Sequence, residues 1–222
     1  MTMIAIDGVD SSGKQTHTEM LYKRLAEEKI NVRKISFPMY DNQSSYLVRQ
    51  YLSGAFGDKP EDVNAYAAST FFAADRFATY KSDWGRDYNS GMVIIADRYI
   101  ASNMIHQASK IDDEKERNRF LDWEYDLEYN IYKLPKPDLQ IFLDMPVEFA
   151  EKLMAERANK ITGEKKKDIH ESNHGYLQKS YDNAVYVAKK YDWVTVKCVK
   201  NGKIRSFQEI NDDIYNYVKQ IL

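Results

Sequence analysis

Unbroken apolar runs alternate along this chain with stretches whose apolar positions recur every three or four residues. The first run, Met3-Ile4-Ala5-Ile6, has the pattern of a strand covered on both faces. Val32 to Ser36 predicts a second short strand, ended by Phe37-Pro38 because proline has no N–H for pairing. Gly91 to Asp97 predicts a third, with its apolar residues closed by an acid. Leu139 to Leu143 and Val194 to Val199 predict two more.

The helical pattern fills the gaps. It follows Lys14 through Glu19 to Leu25, and returns from Tyr46 to Leu52. Pro60-Glu61-Asp62 reads as the first turn of a long helix to Tyr80, since proline and acids are favoured there, with a loop to follow. Tyr99 to about Lys110 predicts another helix. Asp112 to Tyr132 predicts a strongly charged one, with Phe120, Leu121, Trp123, Leu127 and Ile131 available for burial. Further helices are expected from Asp144-Met145-Pro146 to about Arg157, from Gly175 to Tyr191 and from Phe207 to Leu222. Between Ala158 and Asn173 the chain is polar and rich in lysine. Strand–helix alternation of this kind predicts an α/β fold: a parallel sheet with helices on both faces. Ligands then bind at the C-terminal ends of the strands.

At 222 residues the chain is the size of one domain with a substantial core. Its net charge of −2 carries no bulk electrostatic sign of a nucleic-acid or membrane partner. There is no bilayer-length apolar run and no signal-peptide pattern, so a soluble cytoplasmic protein is expected. The single cysteine, Cys198, excludes an internal disulfide and sits in an apolar alternation as a core strand residue.

The strongest chemical signal is Gly8-Val9-Asp10-Ser11-Ser12-Gly13-Lys14, the Gly-x-x-x-x-Gly-Lys spacing of a phosphate loop, set between a strand and a helix. Glycines let backbone N–H groups converge on one anion, and the helix N-terminus adds positive potential. Lys14 supplies a full charge to the outer phosphates. The next position usually carries a hydroxyl that holds magnesium, and here it is Gln15. Thr16, one place later, is one substitute; water, or a metal held mainly from elsewhere, are the others. Asp97, ending a buried strand, is the candidate carboxylate for Mg²⁺. Asp10 is unexpected, because a carboxylate repels phosphate and so needs another role; turn capping is one.

With these blocks the chain resembles the thymidylate kinases over nearly its whole length. The resemblance rests on the loop, Phe37-Pro38-Met39-Tyr40, Phe72-Ala73-Ala74-Asp75-Arg76, Asp97-Arg98-Tyr99 with Ser102 and Asn103, and Pro137 to Leu143. It implies a P-loop NTPase-type three-layer fold with a five-stranded parallel sheet, a single nucleoside-monophosphate-kinase-like domain over residues 1–222. A mobile lid is implied at about 158–173. It also implies transfer of the ATP γ-phosphoryl group to thymidine monophosphate, Mg²⁺ as cofactor, and a homodimer formed through helices.

The site implied by the resemblance can be written residue by residue. ATP lies on Gly8 to Thr16. Asp10 accepts from the deoxyribose 3′-hydroxyl and steers an arginine; Arg98 and Tyr40 hold the acceptor phosphate. Phe72 stacks on thymine and Arg76 bonds its edge, although Phe72 as plain core competes. Phe37 and Pro38 shape the pocket, while Ser102, Asn103 and Gln107 face base and sugar. His106 lies near the sugar or else on the surface. Catalytic charge comes from Asp10, Lys14, Arg98 and a lid cation. Arg157, Lys160 and Lys165-Lys166-Lys167 are the candidates for that cation, and Ile169-His170-Glu171 stands where a lid arginine would be expected.

Overall fold

A computed structural model describes the backbone of residues 1–160 and 174–222, with side chains described to residue 155 and again from 175. The lid expectation therefore lies outside the described residues, as do the side chains of Arg157, Lys160 and the Lys165 to Lys167 run. Five parallel strands form one sheet in the order β2-β3-β1-β4-β5. They are β1 (Met3–Gly8), β2 (Val32–Ser36), β3 (Val93–Asp97), β4 (Leu139–Asp144) and β5 (Val194–Lys197). A small antiparallel hairpin, β6 (Val199–Lys200) and β7 (Lys203–Ile204), follows.

The period of two along β1 explains the three layers. Met3 and Ala5 face a core built with Trp84, Tyr99, Met104, Phe120, Leu121 and Val187. Ile4 and Ile6 face the opposite core, with Leu21, Leu25, Ala150, Ile210, Ile214 and Val218. Helices α1 (Lys14–Glu27), α7 (Val147–Lys160) and α9 (Phe207–Val218) supply the second side. The first side takes α5 (Ile100–His106), α6 (Glu114–Tyr125) and α8 (His174–Lys190). It also takes the segment from α3 (Ala65–Thr79) to α4 (Gly85–Asn89), while α2 (Tyr46–Leu52) packs on α3. This is a P-loop NTPase-type α/β arrangement. No described helix is long and apolar enough to cross a membrane.

Three sequence expectations are corrected. The long helix does not begin at Pro60: Pro60–Asp62 forms one 3₁₀ turn, and Val63 and Asn64 are extended. The Asn64 side chain accepts from the Ala67 N–H at 2.9 Å, a stronger start signal than proline with acids. Nor does a loop follow Tyr80. The helix widens into a π turn, Tyr80–Trp84, and continues as α4. Gly85 makes this possible, because a Cβ there would lie 2.2 Å from the Tyr80 carbonyl oxygen. The turn carries Trp84 into the core with no exposed surface. A second π turn, Asp126–Ile131, ends the charged helix and leaves Ile131 63% exposed, contrary to its expected burial.

Helix α5 has only seven residues, too few to be stable alone. Side chains of α8 bind its last carbonyls: Asn183 Nδ2 donates to Met104 and Ile105 at 2.9 and 2.7 Å. Tyr176 Oη donates to the His106 carbonyl at 2.8 Å. These bonds fix the helix that carries Ser102, Asn103 and His106.

Asn64→Ala removes the cap of α3. It is expected to lower stability by about 1 kcal/mol, read as a lower midpoint in urea with an unchanged slope.

Candidate active site

Strand β1 ends in a loop that permits little else than its own sequence. A Cβ on Gly8 would meet Ser12 Oγ at 2.7 Å and the Leu143 carbonyl at 3.0 Å. Gly13, the N-cap of α1, has φ +89°, which glycine adopts without strain. Between them Val9 and Ser12 are buried, and Ser12 N donates to the Val9 carbonyl at 3.2 Å. Lys14 folds over this loop and donates to the carbonyls of Gly8 and Val9 at 3.0 and 2.6 Å. Burial, then the Arg98 charge, bring its pKa down to about 8. Gln15 and Thr16 are exposed on the first turn of α1.

Asp10 joins this loop to the next strand end. Its Oδ1 accepts from Arg98 Nη2 and lies 4.0 Å from Lys14 Nζ. Burial alone would raise its pKa, but the Arg98 and Lys14 charges prevail and hold it well below the usual carboxylate range. Register explains the meeting. Ile6 pairs with Asp97, and Arg98, one residue further, donates its N–H to the Ile6 carbonyl at 3.1 Å. Arg98 has φ +67°, which turns the chain sharply out of the sheet. Its Nη1 lies 3.5 Å from His106 Nε2.

Beyond Arg98 opens a cleft of about 520 Å³, counting its solvent-open mouth. Every residue predicted for the acceptor side lines it: Asp10, Phe37, Pro38, Tyr40, Phe72, Arg76, Arg98, Ser102, Asn103, His106 and Gln107. Leu52, the last residue of α2, lines it too and was missed, since nothing separates it in sequence from an ordinary core leucine. Phe72 is half-buried and meets Tyr51 edge-on at 6.2 Å, whereas Phe71 packs on Phe56 and Tyr51. His106 is buried rather than on the surface.

Several buried acids that hold this cleft had no role assigned from the sequence. Asp75 accepts from Met39 N at 2.9 Å and Ser44 Oγ at 2.5 Å, tying the loop after Pro38 to α3. Asp7 accepts from Ser102 Oγ at 2.6 Å and Gln140 Nε2 at 3.0 Å, so the Ser102 hydroxyl is engaged within the protein. Arg76 is fully buried, its Nε and Nη2 donating to Glu128 at 2.7 and 2.5 Å. Glu124 Oε1 lies 3.8 Å from Arg76 Nη2 and accepts from Asn103 Nδ2 at 2.7 Å. The charged helix, to which the sequence assigned no role, therefore braces the cleft. Apolar periodicity cannot report a buried glutamate, because its partner is far away in sequence.

Asp97 is 9% exposed, close to Lys14 and Arg98, and burial raises its carboxyl pKa. Among the described residues no group of three or more His, Cys, Asp or Glu side chains forms a metal cluster. The donor set is one hard carboxylate beside a phosphate loop. That fits Mg²⁺ brought in on substrate phosphates, which needs only one or two protein carboxylates.

Burial lowers the pKa of His17 to about 4 and, with the Arg98 and Lys14 charges, that of His106 to about 3. The unfolded imidazoles, near 6.5, take up protons first as pH falls. Stability is thus expected to decline from pH 6.5 downward, through about 4 for His17 and about 3 for His106. Urea titrations across this range should show a shallower decline in His17→Gln, and NMR should find both rings neutral near pH 5.

A family model described as thymidylate kinase matches residues 6–199, a span that includes every predicted site residue. The thymidylate kinase of Mycobacterium tuberculosis is 33% identical over 164 residues, 72% of this chain and 74% of its own. A probable thymidylate kinase of Methanocaldococcus jannaschii is 26% identical over 221 residues, 98% of this chain and 96% of its own. A probable thymidylate kinase of Pyrobaculum aerophilum is 29% identical over 165 residues, 71% of each chain. With its phosphate loop, its paired Asp10 and Arg98, and a family match across most of its length, this chain belongs to the thymidylate kinase family.

Proposed function

We propose that this protein is a kinase that moves the γ-phosphoryl group of ATP onto thymidine 5′-monophosphate, giving ADP and the diphosphate. The observation that carries this reading is the shared carboxylate of Asp10, which has Lys14 on one side and Arg98 on the other. A donor phosphate on the loop and an acceptor phosphate at Arg98 then meet end to end. The bond from the γ-phosphorus to the β,γ-bridging oxygen breaks, and one forms to an oxygen of the acceptor phosphate. That nucleophile is already ionised at neutral pH, so no general base is needed. A neutral His106 beside Arg98 is consistent with this.

The task of the protein is charge neutralisation and alignment. The loop from Gly8 to Thr16 cradles ATP, and Lys14 swings from its own carbonyls to the outer phosphates. Arg98 and Tyr40 hold the acceptor phosphate, and Asp10 also accepts from the sugar 3′-hydroxyl. Thymine lies between Phe72 and the wall made by Phe37, Pro38 and Leu52. Asp97 would hold Mg²⁺, with the exposed Thr16 hydroxyl as second candidate, and the ion would supply positive charge to the phosphates. Arg157 or a lysine of the following lid supplies the remaining cation. A homodimer through helical faces belongs to the same reading, supported by exposed Tyr46 and Leu47 on α2.

A kinase for unphosphorylated nucleosides is the competing reading, and Arg98 weighs against it, because a neutral acceptor leaves a half-buried cation on the acceptor side with no anionic group of the substrate to meet. A coupled ADP-release assay decides between them. Turnover is expected with thymidine monophosphate and not with thymidine; a reversed preference overturns the assignment. Lys14→Ala is expected to reduce kcat by about 10²–10³ or more with its circular dichroism unchanged.

A further inference from the structure

The floor of the cleft holds an arrangement that the transfer reaction does not require. Arg76, Asn103, Glu124 and Glu128 form one network, each buried to 2% exposure or less, with Glu124 Oε2 left without a hydrogen-bond partner. Asn103 comes from α5, Arg76 from α3, and the glutamates from the end of α6 and the π turn that follows. The two glutamates are four residues apart, so they project from one face.

The network fixes what each side chain can offer to a ligand. Asn103 Nδ2 has two hydrogens; one goes to Glu124 Oε1 at 2.7 Å and the other to the Ser69 carbonyl at 3.2 Å. A backbone carbonyl only accepts, so the nitrogen must face it. What Asn103 leaves for the cleft it lines is its carbonyl oxygen. Arg76 gives Nε and Nη2 to Glu128, and Nη2 also faces Glu124. What it leaves for the cleft is Nη1, a donor. The cleft therefore presents an acceptor beside a donor.

We infer that Glu124 and Glu128 are positioning residues for base selection, holding Asn103 and Arg76 so that only a pyrimidine with an N3–H next to a C4 carbonyl fits. This inference rests on the proposed acceptor. Thymine and uracil carry that pattern. Cytosine carries the inverse, a bare N3 beside an amino group, and would set acceptor against acceptor and donor against donor. The two glutamates have different duties. Glu128 neutralises the Arg76 charge through two hydrogen bonds, a geometry that fixes the plane of the guanidinium. Glu124 stands between Asn103 and Arg76 and couples their orientations. Burial, then the charge of Glu128, push the Glu124 carboxyl well above its usual range, which favours its neutral form. A neutral carboxyl accepts through one oxygen and donates through the other, and a glutamine amide does the same.

This likeness sets the test. Glu124→Gln keeps the acceptor for Asn103, and Glu124→Met removes it at similar volume. Steady-state kinetics with thymidine, uridine and cytidine monophosphates, with deoxyribose throughout, give kcat/KM for each. E124M is expected to reduce the preference for thymidine over cytidine nucleotide by about tenfold. The change should appear mainly in the acceptor KM, with the KM for ATP within about twofold. E124Q should keep the wild-type preference. An E124M protein with unchanged preference overturns the inference, and so does an E124Q protein that loses as much as E124M. Wild-type protein that turns over no thymidine monophosphate overturns the proposed function instead, a separate result. Should E124M not fold, nitrogen-15 NMR of the wild type alone decides. Before any nucleotide is added, the Asn103 side-chain amide protons should resist exchange with solvent. An amide that exchanges freely overturns the inference.

Discussion

Two cations held at one cleft repel one another unless something negative stands between them. Asp10 is that group, in contact with Arg98 and 4.0 Å from Lys14. Its position inside an anion-binding loop is otherwise a liability. The carboxylate lets the protein hold both positive charges at the cleft before any nucleotide arrives. Everything that sets the separation of the loop and Arg98 serves this contact. The parallel pairing of β1 with β3 brings Ile6 opposite Asp97, and the N–H of Arg98 closes on the Ile6 carbonyl. A slip of one residue in that register would turn Arg98 to the other face of the sheet.

The same device recurs around the cleft: buried acids tie together elements distant in sequence. Asp75 holds the loop after Pro38 to α3, Asp7 joins Ser102 to Gln140, and Glu128 clamps Arg76. Such ties are strong where water is excluded, and leaving either partner alone there is costly. Each also orients a side chain whose direction matters to a ligand. The rigidity of the acceptor side is thus electrostatic as much as hydrophobic. Tyrosine and asparagine side chains of α8 complete it by capping the short α5.

Much of this was legible beforehand, for identifiable reasons. Strand β2 and helix α2 have the expected limits, because proline and glycine punctuate them on the page. All acceptor residues suggested by resemblance to the thymidylate kinases line one cleft, since strand ends and first helical turns gather at one edge of a parallel sheet. The errors have a common origin too. Periodicity near 3.6 residues hides a π turn, so the path after Tyr80 and the exposure of Ile131 were misread. Nothing in the sequence marked Glu124 and Glu128 as buried, because their partners, Asn103 and Arg76, lie tens of residues away.

By itself, the sequence determined the local physics: which runs pair as strands, where glycine lets a loop close round an anion, and which side chains carry charge to the strand ends. Those properties depend on neighbours a few residues apart. Only the tertiary structure decided which charge faces which: that Asp10 lies against Arg98, that Arg76 is gripped by Glu128, and that Asn103 has its nitrogen engaged. Pairings of that kind follow from the three-dimensional meeting of α3, α5 and α6 on a twisted sheet, and from the expulsion of water that makes each pair strong.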